Sequence, residues 1–143
     1  MECKEDIRNM NYWIIRLIHR YSAVNFKCFQ KMGLHPGQLP VLKTVYEKEG
    51  ISLRELADVL HVKPPTVTVT VKRLEKTGLV YKQADQEDLR VNRIFLTEKG
   101  KGITKEISVL LDKNEKILTA GFSREEKETL YSYFERMIEN LAK

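Results

Sequence analysis

Apolar residues recur along the first part of the chain at Ile7, Met10, Ile14, Leu17, Tyr21, Val24 and Cys28, in alternating steps of three and four. That spacing lays one seam along a helix, and it predicts a long helix from Ile7 to Cys28 that packs on helices of the same chain or of a second one. Gly33 marks its stop. A shorter amphipathic pattern follows Pro36, carrying Leu39, Leu42, Val45 and Tyr46 and ending at Gly50; Pro40 fits only near the start of that helix, where a missing N–H costs little. Ile51-Ser52-Leu53-Arg54-Glu55-Leu56 then joins a Ser-x-x-Glu capping box to a hydrophobic staple of Ile51 and Leu56. A helix from Leu53 to Leu60 is the consequence.

After a turn at His61-Val62-Lys63, the pair Pro64-Pro65 fits only the first turn of another helix, which runs until Gly78 supplies a left-handed stop. Helical periodicity turns Val67, Val71 and Leu74 to one side and Pro65, Val69, Lys72, Arg73 and Lys76 to the other. Leu79 to Ala84 and Asn92 to Leu96 read as two strands joined by the polar loop from Asp85 to Val91. A second long helical pattern starts after Thr97 and runs through Ile103, Ile107, Leu110, Leu111, Ile117 and Leu118. Ser123-Arg124-Glu125-Glu126 is another capping box, opening a last helix with Leu130, Phe134, Met137 and Leu141 on one face. The predicted fold is mainly α with a small β-hairpin, an α+β chain in the order helices, hairpin, helices.

With 143 residues the chain has the length of one domain, and 42% hydrophobic with 31% charged residues is the balance of a soluble globular protein. No apolar run approaches a membrane span, and the N-terminal stretch is too charged for a secretory signal, so the expected compartment is the cytoplasm, with no membrane partner. The formal charge of +5 and a pI near 9.2 fit a polyanionic partner. Its location matters more than its size. Between Lys63 and Lys82 stand five basic residues, Lys63, Lys72, Arg73, Lys76 and Lys82, against the single acid Glu75. A phosphate backbone belongs along that stretch.

Helix, tight turn, helix and two-stranded wing is a geometry that reads duplex DNA, the second helix entering the major groove and the wing reaching backbone or minor groove. Thr66, Thr68 and Thr70 bring short hydroxyls and methyls, Val69 an apolar contact for a thymine methyl, and Lys72, Arg73 and Lys76 charge for phosphates. Residues 35–100 are therefore read as a winged helix-turn-helix DNA-binding lobe, and residues 1–34 and 101–143 as a helical dimerisation region.

From Leu34 to Gly100 the chain resembles the MarR family of transcriptional regulators in order and spacing. The resemblance rests on ISLRELADVLHVKPPTVTVTVKRLEKTGLVYK, the wing residues Asp88-Leu89-Arg90, and Leu96-Thr97-Glu98-Lys99-Gly100, all in register. It implies a triangular homodimer acting as a repressor on a pseudopalindromic double-stranded DNA operator, with affinity set by a ligand or an oxidant. It places the recognition helix on Pro65 to Thr77, the wing arginine on Arg90 and the acid that positions the wing on Asp88. Three positions depart from the family pattern. Lys82 stands where arginine is common, Leu89 where a second basic residue is frequent, and His35 where a threonine cap is usual.

Aromatic residues Tyr12, Trp13, Tyr21, Phe26 and Phe29 crowd the first helix with Arg16 and Arg20. They suit core and dimer packing, or a pocket in which Trp13, Arg16 and Arg20 hold a small aromatic or amphipathic effector. Two cysteines, Cys3 and Cys28, make no disulfide framework, and the alternative of a thiol redox sensor rests on one or the other. His19, His35 and His61 are scattered singly, so no metal site is expected. No Gly-rich phosphate loop, nucleophile elbow or HExxH is present, which argues against an enzyme and against a cofactor. A winged-helix module that binds protein is the remaining alternative, and the basic outer face of residues 65–76 favours DNA over it.

Overall fold

A computed structural model describes residues 9–142 and forms two compact units, one ending at Leu39 and one beginning at Pro40. Helix α1, Met10–Lys31, dominates the first unit. Asn9 caps it by accepting from the Asn11 N–H, and Gly33 ends it in the left-handed region at φ 68°, letting the Leu34 N–H reach back to the Phe29 carbonyl. Of the predicted seam, Ile7 lies outside the described residues, while Met10, Ile14, Leu17, Tyr21 and Val24 are exposed and Cys28 is half-buried. Asn25 and Phe29 are the buried positions of this helix, and the Asn25 amide donates to the Tyr21 carbonyl.

In the second unit α2 (Leu39–Glu47), α3 (Leu53–Leu60) and α4 (Pro64–Lys76) meet a three-stranded antiparallel sheet, followed by α5 (Glu98–Leu118) and α6 (Arg124–Leu141). The core is built from Val41, Leu42, Val45, Leu56, Val67, Val71, Leu74, Leu79, Val80, Ile94, Leu96 and Ile107. Every helix of this unit except α6, which has no buried residue, gives the core part of one face. The capping box at Ser52 and Glu55 forms as the sequence predicts, with the Glu55 N–H on Ser52 Oγ at 3.2 Å and the Ser52 N–H on Glu55 Oε2 at 2.9 Å. The Ser52 N–H first, and then the Ser52 side chain, hold the Glu55 carboxyl below the usual carboxylate range. The box at Ser123 and Glu126 closes in the same way and starts α6.

Strands β2 (Val80–Ala84) and β3 (Asn92–Leu96) form the predicted hairpin, and an unpredicted strand, β1 (Ile51–Ser52), lies on the other side of β3 in the order β1-β3-β2. Two residues are too few to show an alternating pattern, so this strand exists only by virtue of its partner. Ile51 pairs with Ile94 and Ser52 with Arg93.

The junction of hairpin and α5 explains the Leu-Thr-x-x-Gly sequence. Thr97 caps α5 by accepting from the Gly100 N–H, while its own hydroxyl donates to the Gly78 carbonyl at 2.6 Å. Gly100 lies so close to the Leu79 backbone that a Cβ would overlap the carbonyl oxygen. Glycine is needed there for space, not for its backbone angles. Farther along, Tyr131 of α6 donates to Glu115 of α5 at 2.7 Å, and Lys127 reaches the same carboxylate at 3.7 Å.

Candidate nucleic-acid interface

The two prolines set the start of α4, occupying its first two positions after Lys63. His61 makes the turn before it, holding φ 52° and ψ 40°, so that its N–H and that of Val62 fold back on α3 carbonyls. This is the one non-glycine residue at positive φ among those described. Val67, Val71 and Leu74 are buried to 1% exposure or less, which fixes the rotation of the helix and turns Pro65, Thr66, Val69, Lys72, Arg73 and Lys76 outward. Thr68 and Thr70 are half-buried at the flank. Their hydroxyls donate to the Pro64 and Thr66 carbonyls at 3.0 and 3.1 Å, so what they present outward is acceptor capacity.

Charge is sorted across this helix. Glu75, its only acid, lies 3.9 Å from Lys82 Nζ of β2, so Lys82 answers a charge inside the lobe. Lys72, Arg73 and Lys76 have no carboxylate within ion-pair distance among the described residues. They remain as exposed, uncompensated cations.

At the wing tip Asp88 closes on Arg90 with both carboxylate oxygens. Oδ1 accepts from Arg90 Nε at 3.0 Å and from its backbone N–H at 3.1 Å, and Oδ2 from a terminal guanidinium nitrogen at 3.1 Å. The pair holds the Asp88 carboxyl below its usual range and the guanidinium above its own, although the Arg90 side chain is 90% exposed. Leu89 stands out at the tip between them.

Two wing residues escaped the sequence reading. Arg93 of β3 donates through Nε to Asp85 Oδ1 at 2.8 Å and through a terminal nitrogen to the Gly50 carbonyl at 2.9 Å. Asp85 accepts in addition from the Asp88 N–H, and the Arg93 guanidinium is the main cause of its lowered pKa. Strand alternation held a usable signal. Ile94 and Leu96 point to the core, which puts Arg93 on the Phe95 face, opposite Gln83 and diagonal to Asp85. On that face Phe95 stacks on Tyr81 at 5.4 Å, and its ring lies 3.3 Å from where a Gly50 Cβ would be.

The remaining candidates sit on α1. Arg16 lies 5.4 Å from the ring centroids of both Tyr12 and Trp13, which meet edge to face, and it donates to the Tyr12 hydroxyl at 3.3 Å. Arg20 is exposed one turn farther on. Cys3 lies outside the described residues. Among those described, no cluster of three or more His, Cys, Asp or Glu could hold a metal, and no helix is long and apolar enough to cross a membrane.

Two helices across a tight turn, the second apolar inside and cationic outside, followed by a hairpin with an arginine clamped at its tip, define a winged helix-turn-helix regulator that binds DNA. The MarR family model matches residues 34–91. The chain is 30% identical over 128 residues to the uncharacterized HTH-type transcriptional regulator YybA of Bacillus subtilis, covering 90% of this chain and 83% of that one. A MarR protein from Peptoclostridium difficile superposes with a TM-score of 0.84 at 27% identity, over 99% of this chain and 93% of that one. Staphylococcus aureus MepR, solved as a DNA complex, has the same fold, with a TM-score of 0.82 at 22% identity over 96% of this chain and 99% of that one. The chain belongs to the MarR family, a family of transcriptional regulators and not of enzymes.

Proposed function

We propose that this chain acts in the cytoplasm as a homodimer that binds a pseudopalindromic operator sequence-specifically and represses transcription there, and that a small aromatic or amphipathic ligand loosens its grip. The observation that carries the reading is the outer face of α4, where Lys72, Arg73 and Lys76 are exposed without a carboxylate partner among the described residues. Cations at one end of a helix face, with Pro65, Thr66, Thr68 and Val69 toward its start, suit a helix laid in the major groove. The cations neutralise phosphates and the short side chains meet base edges. Lys82, beyond the helix, is also assigned to a phosphate, which requires it to turn from Glu75 toward the backbone. Arg90, presented by Asp88, is assigned to the minor groove.

In this reading residues 35–100 are the DNA-binding lobe and residues 1–34 and 101–143 dimerise. Supporting that division, α1 leaves Leu17 and Ile18 44% and 59% exposed, and α6, taken by itself, leaves Ile138 and Leu141 60% and 89% exposed, apolar side chains that a dimer interface would cover. A two-fold protein needs two related half-sites, about 10 base pairs or a multiple of that apart. For the ligand, Trp13, Arg16 and Arg20 offer aromatic faces and guanidinium groups to a carboxylate-bearing ring.

The test is selection from a random duplex pool, joined to sedimentation at micromolar protein. An inverted repeat and a mass about twice 16.7 kDa are expected. Absence of any enrichment would overturn the DNA reading in favour of a protein-binding module, and a clean monomer would overturn the dimer. Titrating the operator complex with salicylate-like compounds tests the ligand; release by peroxide that is lost in Cys28→Ser or Cys3→Ser would put a thiol sensor in its place.

A further inference from the structure

The wing is joined to its lobe by little. β1 contributes only Ile51 and Ser52 to the sheet, and past the Ser52 to Arg93 pair the hairpin runs on as a two-stranded ribbon. Such a ribbon alone is marginally ordered and free to twist. Arg93 stands where the third strand ends.

From that position its guanidinium reaches two ways. One N–H goes back to the Gly50 carbonyl, in the turn before β1, and Nε goes forward to Asp85 at the start of the wing loop. Asp85 accepts the Asp88 N–H with its other oxygen, and its backbone N–H donates to the Val91 carbonyl at 2.8 Å. Asp88 in turn closes on Arg90. An unbroken series of hydrogen bonds thus runs from the turn before the helix-turn-helix to the side chain at the wing tip. At its near end Ser52, the cross-strand partner of Arg93, is also the cap of α3. A planar fork reaches these two acceptors from two different nitrogens, whereas a lysine's donors all sit on one atom and would serve one acceptor better than the other.

We propose that Arg93 is a positioning residue of the DNA interface, fixing the angle at which the wing leaves the lobe and hence which base pairs Arg90 reaches. The proposal rests on the DNA-binding reading above. Arg93 is 39% exposed and its fork bridges two separate elements, whereas Arg90 is 90% exposed and held only by its near neighbour Asp88, so Arg93 shapes the interface without being one of its phosphate contacts.

Wild type, Arg93→Leu, Arg93→Lys, Asp85→Ala and the double variant Asp85→Ala with Arg93→Leu should be compared by selection from random duplexes, by operator titration at several salt concentrations, and by amide exchange. In Arg93→Leu, operator affinity should fall about tenfold and preference should flatten at the outer positions of each half-site. The slope of log affinity against log salt should stay that of the wild type, whereas a lost phosphate contact lowers it by about one unit. Arg93→Lys should restore only part of the preference, and the double variant should be no worse than the poorer single one. Amides of Leu89, Arg90 and Val91 should exchange faster while those of α3 and α4 do not change. A slope reduced by one unit would make Arg93 a DNA contact and overturn the proposal, as would an unaltered preference profile. If Arg93→Leu does not fold, Asp85→Ala, which changes only the loop, decides by the same readouts. Should the wild type itself enrich no duplex, the DNA reading fails separately. Wing amides that then exchange at wild-type rates in both single variants would refute the coupling as well.

Discussion

Two glycines in the first turns of α5 should respond to the same substitution with opposite signs. A Cβ on Gly100 would overlap the Leu79 carbonyl oxygen and lie 2.9 Å from its carbon, while a Cβ on Gly102 would meet nothing within 4 Å. Leu79 cannot step aside, since its side chain is 2% exposed, its N–H donates to the Leu74 carbonyl at 2.9 Å and its carbonyl accepts from Thr97 at 3.0 Å. Gly100→Ala therefore forces α5 away from the hairpin. Overpacking of that kind costs about 1–3 kcal/mol. Loss of the Thr97 to Leu79 bond adds about 1 kcal/mol, and better helix propensity returns less than about 1 kcal/mol in a first turn. The net loss is about 1–3 kcal/mol. Gly102→Ala collects the propensity gain of about 1 kcal/mol with no collision. Urea unfolding followed by circular dichroism, at one fixed protein concentration because oligomerisation would couple to stability, should separate the two variants by about 2–4 kcal/mol. A Gly100→Ala protein within about 1 kcal/mol of Gly102→Ala would refute this account of the Leu-Thr-x-x-Gly sequence.

His61→Gly should stabilise the fold by up to about 1 kcal/mol, as relief of the left-handed backbone outweighs the added freedom of the unfolded chain, and His61→Val should destabilise it; thermal melts of both decide. Arg90→Ala is expected to weaken operator binding by about 1–3 kcal/mol and relax preference at outer A·T positions. Lys72→Ala or Arg73→Ala should instead weaken all duplexes alike and flatten the salt slope by about one unit, and identical behaviour of the two sets would remove the wing assignment. The carboxyls of Asp85 and Asp88 titrate lower folded than unfolded, so their contribution to wing order is complete above about pH 4 and is lost as pH falls through the depressed values. The Arg90 Nε–H resonance should hold steady from pH 8 to pH 5 and collapse only in acid; a transition near neutrality would count against the pairing.

Much of the lobe was readable because its signals are local. A capping box spans four residues, Pro64-Pro65 admits one placement, and the step from Val67 to Val71 to Leu74 fixes the rotation of α4 without knowledge of what it packs against. What stayed hidden depends on distant partners. Arg93 meets Gly50 across 43 positions of sequence, and the two residues of β1 become a strand only beside β3. The left-handed turn at His61 was hidden for a different reason. Its signature residue, glycine, is absent, so the geometry is imposed by the helices on either side and not announced by the residue that adopts it.

The closed pair at the wing tip also bears on the order in which contacts form. From Asp85 to Arg93 the wing carries three carboxylates, Asp85, Glu87 and Asp88, against two guanidiniums, Arg90 and Arg93, which leaves it one negative charge. Each arginine is already shared with an aspartate. At distances where only net charge is felt, such a wing is weakly repelled by a nucleic acid, whereas Lys72, Arg73 and Lys76 of α4 are drawn to it. Under the proposed function, capture of arbitrary sequence and travel along it would then fall to the helix, with the wing held clear. If Arg90 is the minor-groove residue proposed above, it would join only where a groove is narrow enough to compete with Asp88 for its guanidinium, and the tip would then act as a late checkpoint on a complex that α4 has already begun.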